Sequence, residues 1–349
     1  MQDDFLALMR QLAPDLAAEM ARRALVLERV AALAPVGRRQ LAARLKLPER
    51  EIRAAAAALK EGGLIQLDAS GMTLTPKAME VLPAARSFSR AMWGLTNLET
   101  RLAEGLGIAH VHVAAGDCDE DAHVLEEVGR LAARHARGML QNGNTLAVTG
   151  GTTMAQVARS MTSPAPMNVM VVPARGGMGR ELEIQANTLA AEIASRLGGH
   201  HRLIYLPDHP DAAAMQEMLK LPEVREAVEL LERADVVMHG IGRADDRAHN
   251  QHLPQGLIRR LTAEGAVAEA FGYYFDAEGK CLYAASSLGV DLAKLRPSCQ
   301  MIAVAAGGRK AQAILAVLRH YRHAMLVTDE GAARAMLRLL APAEDCTPC

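Results

Sequence analysis

The sequence predicts an α/β protein of two domains: an N-terminal winged helix-turn-helix, then a larger, doubly wound and mainly parallel α/β sheet. Three observations predict it. Two short helical segments meet at a tight turn, Lys46-Leu47-Pro48, and lead into a strand-turn-strand. From Ile108 onward, short apolar strands alternate with helical stretches. Glycine-rich loops stand directly after several of those strands, where open sheets bind ligands.

The N-terminal elements follow in order. Pro14 to Leu33 reads as an amphipathic helix with Leu16, Met20, Leu25, Val30 and Leu33 near helical spacing, ended by Pro35 and Gly37. Arg38–Leu45 makes a short helix and Glu49–Lys60 a second. Leu41, Leu45, Ile52 and Leu59 fall where the two should pack. After Gly62-Gly63, Leu64–Leu67 and Met72–Thr75 flank the turn Asp68-Ala69-Ser70-Gly71, which is a wing. Domain boundaries are expected at residues 1–85 for this head, 86–106 for a helical linker holding Trp93, 107–341 for the large domain and 342–349 for a tail.

Charge separates the two domains. The 349 residues carry a formal net charge of −1, which alone argues against a nucleic-acid partner. Residues 22–60, however, hold ten basic and three acidic residues, a net of +7, and the remaining chain sums to −8. A local basic patch is the electrostatic footprint of phosphate-backbone binding. Arg50 and Arg53, at the start of the second helix, have the length and fork geometry to read guanine. Arg38 and Arg39, opening the first helix, are placed for phosphates. A helical interaction module that meets no DNA is the competing reading of the same segment.

In the large domain, strands are expected at 109–114, 145–149, 169–172, 202–206, 236–238, 266–275, 301–305 and 324–327. Helices are expected at 125–140, 153–161, 183–197, 211–233, 254–264, 310–320 and 330–340. Gly150-Gly151-Thr152-Thr153 follows the second strand and opens a helix. Glycines admit an anion to the backbone, while threonine hydroxyls and a helix N-terminus donate to phosphate oxygens. Two more such loops follow later strands: Arg175 with Gly176, Gly177 and Gly179, and Gly307-Gly308-Arg309-Lys310. Three loops, two with cations, fit a ligand with more than one phosphate. Neither the phosphate-loop Gly-Lys-Ser/Thr sequence nor the dinucleotide Gly-x-Gly-x-x-Gly spacing is present. Gln185, Asn187 and Glu269 offer amides and a carboxylate to sugar hydroxyls.

With those residues in place, the chain resembles the SorC-type sugar-binding transcriptional regulators, and within them the central glycolytic genes regulator branch. The resemblance runs through Pro14-Asp15-Leu16, Gly37-Arg38-Arg39, Gly71–Thr75, Val148–Thr153, Val172–Gly177, Gln185-Ala186-Asn187 and His239–Gly242. It continues through Glu269–Phe275, Ile302–Ala305 and Val327–Ala333. It implies a winged-helix repressor whose large domain has the sugar-phosphate isomerase and deaminase type of fold without catalysis. The implied effector is fructose 1,6-bisphosphate or a related sugar phosphate, which relieves repression. Thr152, Thr153, Arg175 and Lys310 would hold phosphate with the Gly150-Gly151 backbone, and Gln185 and Glu269 the sugar. Two departures stand out. Asn250 occupies a place where relatives carry a basic residue expected at the second phosphate, and Ala306, Gly308 and Arg309 replace a glycine and small hydroxyl residues. Either Arg247, His249 or Arg309 substitutes, or the second phosphate is held less tightly.

No cofactor is expected. Reading two half-sites of double-stranded operator DNA calls for a homodimer or homotetramer. The acidic start Met1-Gln2-Asp3-Asp4, five scattered cysteines and no apolar run of membrane-spanning length lead to an expected cytoplasmic location. The His249/His252 and Cys346/Cys349 pairs lack the partners of a zinc site, so no metal is expected. The alternatives are an isomerase or deaminase on the same fold, with Asp245, Asp246 or Glu269 as base, and a sugar sensor acting through protein partners alone.

Overall fold

The computed structural model describes residues 8–9, 11–175, 181–204, 212–250, 253–284, 294–321 and 323–341. The chain divides into two compact units, Met1–Asn97 and Leu98–Cys349, with the division inside the 86–106 stretch. That stretch belongs to two helices.

The first unit runs α1 (Pro14–Leu33), α2 (Arg38–Leu45), α3 (Glu49–Glu61), β1 (Ile65–Asp68), β2 (Gly71–Leu74) and α4 (Pro76–Met92). Lys46 adopts a left-handed conformation, φ 50°, that turns the chain from α2 into α3. β1 and β2 pair antiparallel, with the Asp68 carboxylate accepting from the backbone N–H groups of Ser70 and Gly71 in the turn. Leu41, Ile52 and Leu59 are buried together with Leu27, Val30, Val36, Ile65 and Met72. The expected buried face of α1 is corrected: Leu16 and Met20 are 65% and 48% exposed. The helix instead buries Ala17, Ala21 and Ala24 with Val26, Leu27 and Val30, and packs on α4. Small residues at i, i+4 and i+7 bring a helix close to its neighbour, so they, rather than the larger side chains, mark the inner face.

The second unit begins with α5 (Leu95–Leu106), β3 (His110–Ala114), α6 (His123–Met139), β4 (Thr145–Val148) and α7 (Thr152–Ser160). Next come β5 (Met170–Pro173), a 3₁₀ turn at Leu182–Ile184, α8 (Ala186–Leu197), β6 (His200–His201), α9 (Ala212–Met218), α10 (Pro222–Glu232) and β7 (Val236–Gly240). A middle segment holds β8 (Gly242–Arg243), α11 (Ala244–Asn250), α12 (Gln255–Ala263), β9 (Ala268–Ala270), β10 (Tyr273–Phe275) and β11 (Cys281–Ala284). The chain then returns through β12 (Gln300–Val304), α13 (Ala311–His320), β13 (Met325–Asp329) and α14 (Glu330–Leu340).

Seven strands form one sheet in the order β3-β13-β12-β7-β4-β5-β6, and every pairing in it is parallel. Its strands are apolar because helices cover such a sheet: Leu146, Val148, Met238, Ile302, Val304 and Val327 are each fully buried. A separate antiparallel sheet, β11-β10-β9-β8, was not foreseen. The expected single strand over 266–275 is a hairpin, turned by Phe271 and Gly272 at φ 56° and 87°. A phenylalanine in a left-handed turn inside an apolar run disguises the break. The expected helix over 211–233 is likewise two, α10 starting at Pro222 because proline fits a first turn and not an interior. The strand expected over 202–206 is confined to β6 at His200–His201, and Tyr205 and Leu206 lie outside the described residues.

Helix α6 lies close to α7. A Cβ on Gly129 would sit 2.6–2.8 Å from Gln156 atoms, including its backbone carbonyl. Gly129→Ala would gain about 1 kcal/mol of helix propensity but lose roughly 1–3 kcal/mol to overpacking against backbone that cannot yield. Thermal unfolding should therefore show a lower Tm for this variant; a raised Tm would refute the close approach.

Candidate functional site

The chain leaves β4 outward through β5 and β6, returns to β7 beside β4, and then proceeds the other way through β12 and β13. The reversal falls between β4 and β7, and loops diverging there leave a crevice at the strands' carboxyl ends. A cleft of about 570 Å³ occupies that place. Its walls include Gly150, Gly151, Thr152 and Thr153 after β4, Gly240, Ile241, Gly242 and Arg243 after β7, and Lys310 after β12. Glu181, Asp245 and Asp246 complete its charged lining.

Gly150 is required by a close approach: a Cβ there would lie 2.5 Å from the Ile184 carbonyl oxygen and 3.0 Å from the Ala186 nitrogen. Gly151 caps α7 at φ 118°, and its N–H donates to the Ile184 carbonyl at 2.8 Å. That bond commits the Gly151 N–H within the protein. The first intrahelical bond runs from Ala155 N–H to Gly151 O, so the N–H groups of Thr152, Thr153 and Met154 have no intrahelical acceptor and form the positive end of the helix dipole. Thr149 Oγ1 accepts from the Gly240 N–H at 3.1 Å and ties the β4 and β7 loops together.

The loop carrying Lys310 is fixed by one carboxylate. Asp329, fully buried at the end of β13, accepts from the Gly307 N–H at 3.0 and 3.1 Å, from the Cys118 N–H at 2.8 Å and from the Ala332 N–H at 3.0 Å. It therefore joins the loops after β3 and β12 to the start of α14. Burial, with Asp329 alongside, pushes the Cys118 thiol up to about 12, so it is held as the neutral thiol at neutral pH. Asp117, Cys118 and Asp119 lie together, but Asp119 is occupied by Arg309, accepting from its N–H at 2.9 Å and its Nε at 3.1 Å. Arg309 is not on this cleft's walls and lines an adjoining cavity together with Arg243. The side chains of Arg247, His249 and Asn250, residues 176–180 and the 342–349 tail lie outside the described residues.

Three further expected residues, Arg175, Glu269 and Gln185, are not on the cleft's described walls, and the first two are near one another. Arg175 Nη1 lies 3.9 Å from Glu269 Oε1, and its guanidinium packs on Gly272. Glu269 is buried and accepts from the Gly272 N–H at 2.7 Å. Gln185 immediately precedes α8. Asn187 is corrected as a sugar contact, because its amide donates to Ile204 O at 2.7 Å and accepts from Ile204 N–H at 3.0 Å.

Sequence reasoning missed Asp329, Arg243 and a buried histidine pair. An aspartate directly before a helix is a readable cap signal; Arg243 had no such mark. His239 and His323 meet at 2.8 Å between their Nε2 atoms, with His239 tilted over Phe271. His323 Nδ1 lies 2.8 Å from Tyr321 O and His239 Nδ1 3.1 Å from Gly240 O; carbonyls only accept, so two neutral rings have two protons for these two contacts and the one between their Nε2 atoms.

In the first unit Arg38, Arg39, Arg50 and Arg53 are all exposed. Arg53 donates to Glu49 at 2.9 Å and Arg39 lies 3.5 Å from the same carboxylate. The Arg53 hydrogen bond holds Glu49 below the usual carboxylate range. Such exposed pairs contribute little and open readily.

Comparison with known proteins fits this geometry. Residues 90–338 match the sugar-binding domain family, and residues 20–88 match the CggR N-terminal DNA binding domain family. The chain belongs to the SorC-type family of sugar-binding transcriptional regulators. More particularly, it is 36% identical to the central glycolytic genes regulator of Bacillus subtilis (strain 168), over 94% of this chain and 97% of the relative. It is 38% identical to that of Priestia megaterium over the same shares. A SorC family regulator structure from Enterococcus faecalis superposes with TM-score 0.65 at 36% identity, covering 69% of this chain and 99% of that one. Full-length SorC from Klebsiella pneumoniae, at 21% identity, shares the fold with TM-score 0.65 over 89% of this chain and 97% of its own.

Burial lowers the pKa of both buried histidines, His323 to about 4. The unfolded chain takes up protons on them near pH 6.5, while the folded chain resists. Stability is therefore complete above about pH 6.5 and is lost progressively as pH falls toward 4. Denaturant midpoints between pH 7.5 and 4.5 should decline, and His323→Gln should flatten the decline; an identical slope in that variant would contradict the assignment.

Proposed function

We propose that this chain is a cytoplasmic transcriptional repressor of glycolytic genes whose grip on double-stranded operator DNA is relaxed by a phosphorylated sugar, fructose 1,6-bisphosphate. It acts without cofactor or catalysis, as a homodimer or homotetramer that presents two winged helices to two half-sites. The observation that carries the effector reading is the convergence, at one sheet switch point, of a helix N-terminus, two threonine hydroxyls and Lys310. These are donors for phosphate oxygens, and a lysine supplies the opposing charge. The two relatives named above support glycolytic genes as the targets.

The charged groups of the cleft also favour a sensor over an isomerase. The hydrogen bond from Arg243 holds Asp245 below the usual carboxylate range, the reverse of what a general base at neutral pH requires. Glu269 is committed to the Gly272 N–H. Arg175 and Glu269 adjoin the antiparallel sheet, and a sugar reaching them would bridge that sheet and the phosphate end of the cleft. In the first unit, Arg38 and Arg39 suit phosphates, while Arg50 and Arg53 suit base edges.

A thermal-shift panel of mono- and bisphosphorylated sugars tests the effector. A ligand at about a hundred times its Kd adds about 2.7 kcal/mol to stability, so the true effector should stand out by several degrees. Lys310→Ala should abolish its shift while leaving ligand-free operator binding intact. Uniform silence across the panel would refute the sugar-phosphate reading. For the head, Arg50→Ala or Arg53→Ala should weaken operator binding by roughly 1–3 kcal/mol and relax sequence preference. Arg38→Ala should weaken operator and random DNA alike. Unchanged operator affinity in all of these would place the contact surface elsewhere.

A further inference from the structure

A second cavity, of about 310 Å³, adjoins the cleft within the second unit. Its walls come from α11, α12, the segment before β9 and the turn that opens α13. Among the described residues only Arg243 and Asp245 line both spaces; the Gly150–Thr153 loop and Lys310 belong to the cleft alone. The floor of the cavity is apolar, with Ala248 and Leu261 buried and Ile258 and Val267 half-buried. Sugar hydroxyls would find no partner on such a floor, whereas a hydrocarbon side chain would gain by leaving water for it.

The remaining wall carries both signs of charge. Arg309 donates through Nε to Asp119 at 3.1 Å, and Arg243 donates through Nε and Nη2 to Asp245. Among the described residues, neither Nη of Arg309 nor Nη1 of Arg243 has an acceptor, so both guanidiniums keep donors for a carboxylate. Asp245, its side chain 57% exposed, accepts from Arg243 and from the Asp246 N–H, and its Oδ2 retains lone pairs for a further donor. An ion of one sign alone would meet a like charge here; a zwitterion meets each charge with its opposite. We propose that this cavity binds a small apolar amino acid. Its carboxylate faces Arg309 and Arg243, its ammonium faces Asp245, and its side chain lies on the apolar floor. Such a site does not depend on the sugar-phosphate reading, and it gives the chain a second class of ligand.

Calorimetric titration of the full chain with L-leucine tests this, against three probes that each lack one feature. Isocaproate lacks the ammonium and isoamylamine the carboxylate, and each should bind about tenfold more weakly or worse. L-alanine lacks most of the side chain; at about fourfold per methylene it should lose about sixtyfold. Arg309→Gln, at a side chain 73% exposed, and Asp245→Asn should each weaken leucine binding about tenfold while keeping the wild-type circular dichroism. Leucine should still bind a chain saturated with fructose 1,6-bisphosphate. No binding of leucine at millimolar concentration, equal binding of all four probes, or unchanged affinity in both variants would overturn the proposal. Displacement of leucine by the sugar would make the cavity a part of the cleft and overturn it as well, while leaving the sugar-phosphate reading standing.

Discussion

One buried carboxylate governs the geometry of the ligand end. Asp329 receives N–H groups from Gly307, Cys118 and Ala332, so loops after two neighbouring strands and the first turn of α14 share one anchor. A buried carboxylate is tolerated only when such donors satisfy it. The bond from the Gly307 N–H fixes the turn that carries Lys310 at the cleft. Remove the carboxylate and the Gly307 and Ala332 N–H groups are left buried without this partner, each costing about 1–3 kcal/mol. The position of the lysine thus follows from a residue that itself lies outside the cleft.

The opposite wall is set by a different device. Gly150 brings the β4 loop within contact of Ile184, and Gly151 bonds to the Ile184 carbonyl, so the start of α7 is held in place by backbone rather than by charge. A fixed helix start offers N–H groups whose orientation needs no reorganisation when an anion arrives. Between the two walls stands β7, where the chain reverses across the sheet, and its loop contributes Arg243. Sheet order, and not sequence proximity, is what brings residues 150, 243 and 310 together.

That distinction marks how much was legible in the sequence. The helix-turn-helix, the wing and the parallel sheet could be read, because each rests on local periodicity and turn chemistry. Gly150, Gly151, Thr152, Thr153 and Lys310 could be picked out because glycines and a cation follow apolar strands, a local signal. Asn187 misled, since an amide looks the same whether it meets a sugar or, as here, the backbone of Ile204. Leu16 and Met20 misled because large side chains outweigh alanines in any count of hydrophobic spacing. The 266–275 hairpin was hidden by Phe271, whose left-handed conformation is rare for so bulky a residue. Arg243 and the His239–His323 pair depend on residues far apart in the chain, and no pattern at fixed spacing announces them.

The proposed function joins a basic head that reads DNA to an acidic body that senses a phosphorylated sugar. Its central claim is that the two functions are energetically linked, and linkage between binding sites is reciprocal. The direct measurement is a titration of operator DNA with the full chain, without and with saturating fructose 1,6-bisphosphate, paired with a titration of the sugar without and with operator. The sugar should weaken operator binding, and operator should weaken sugar binding by the same factor. Two affinities that ignore each other would contradict it.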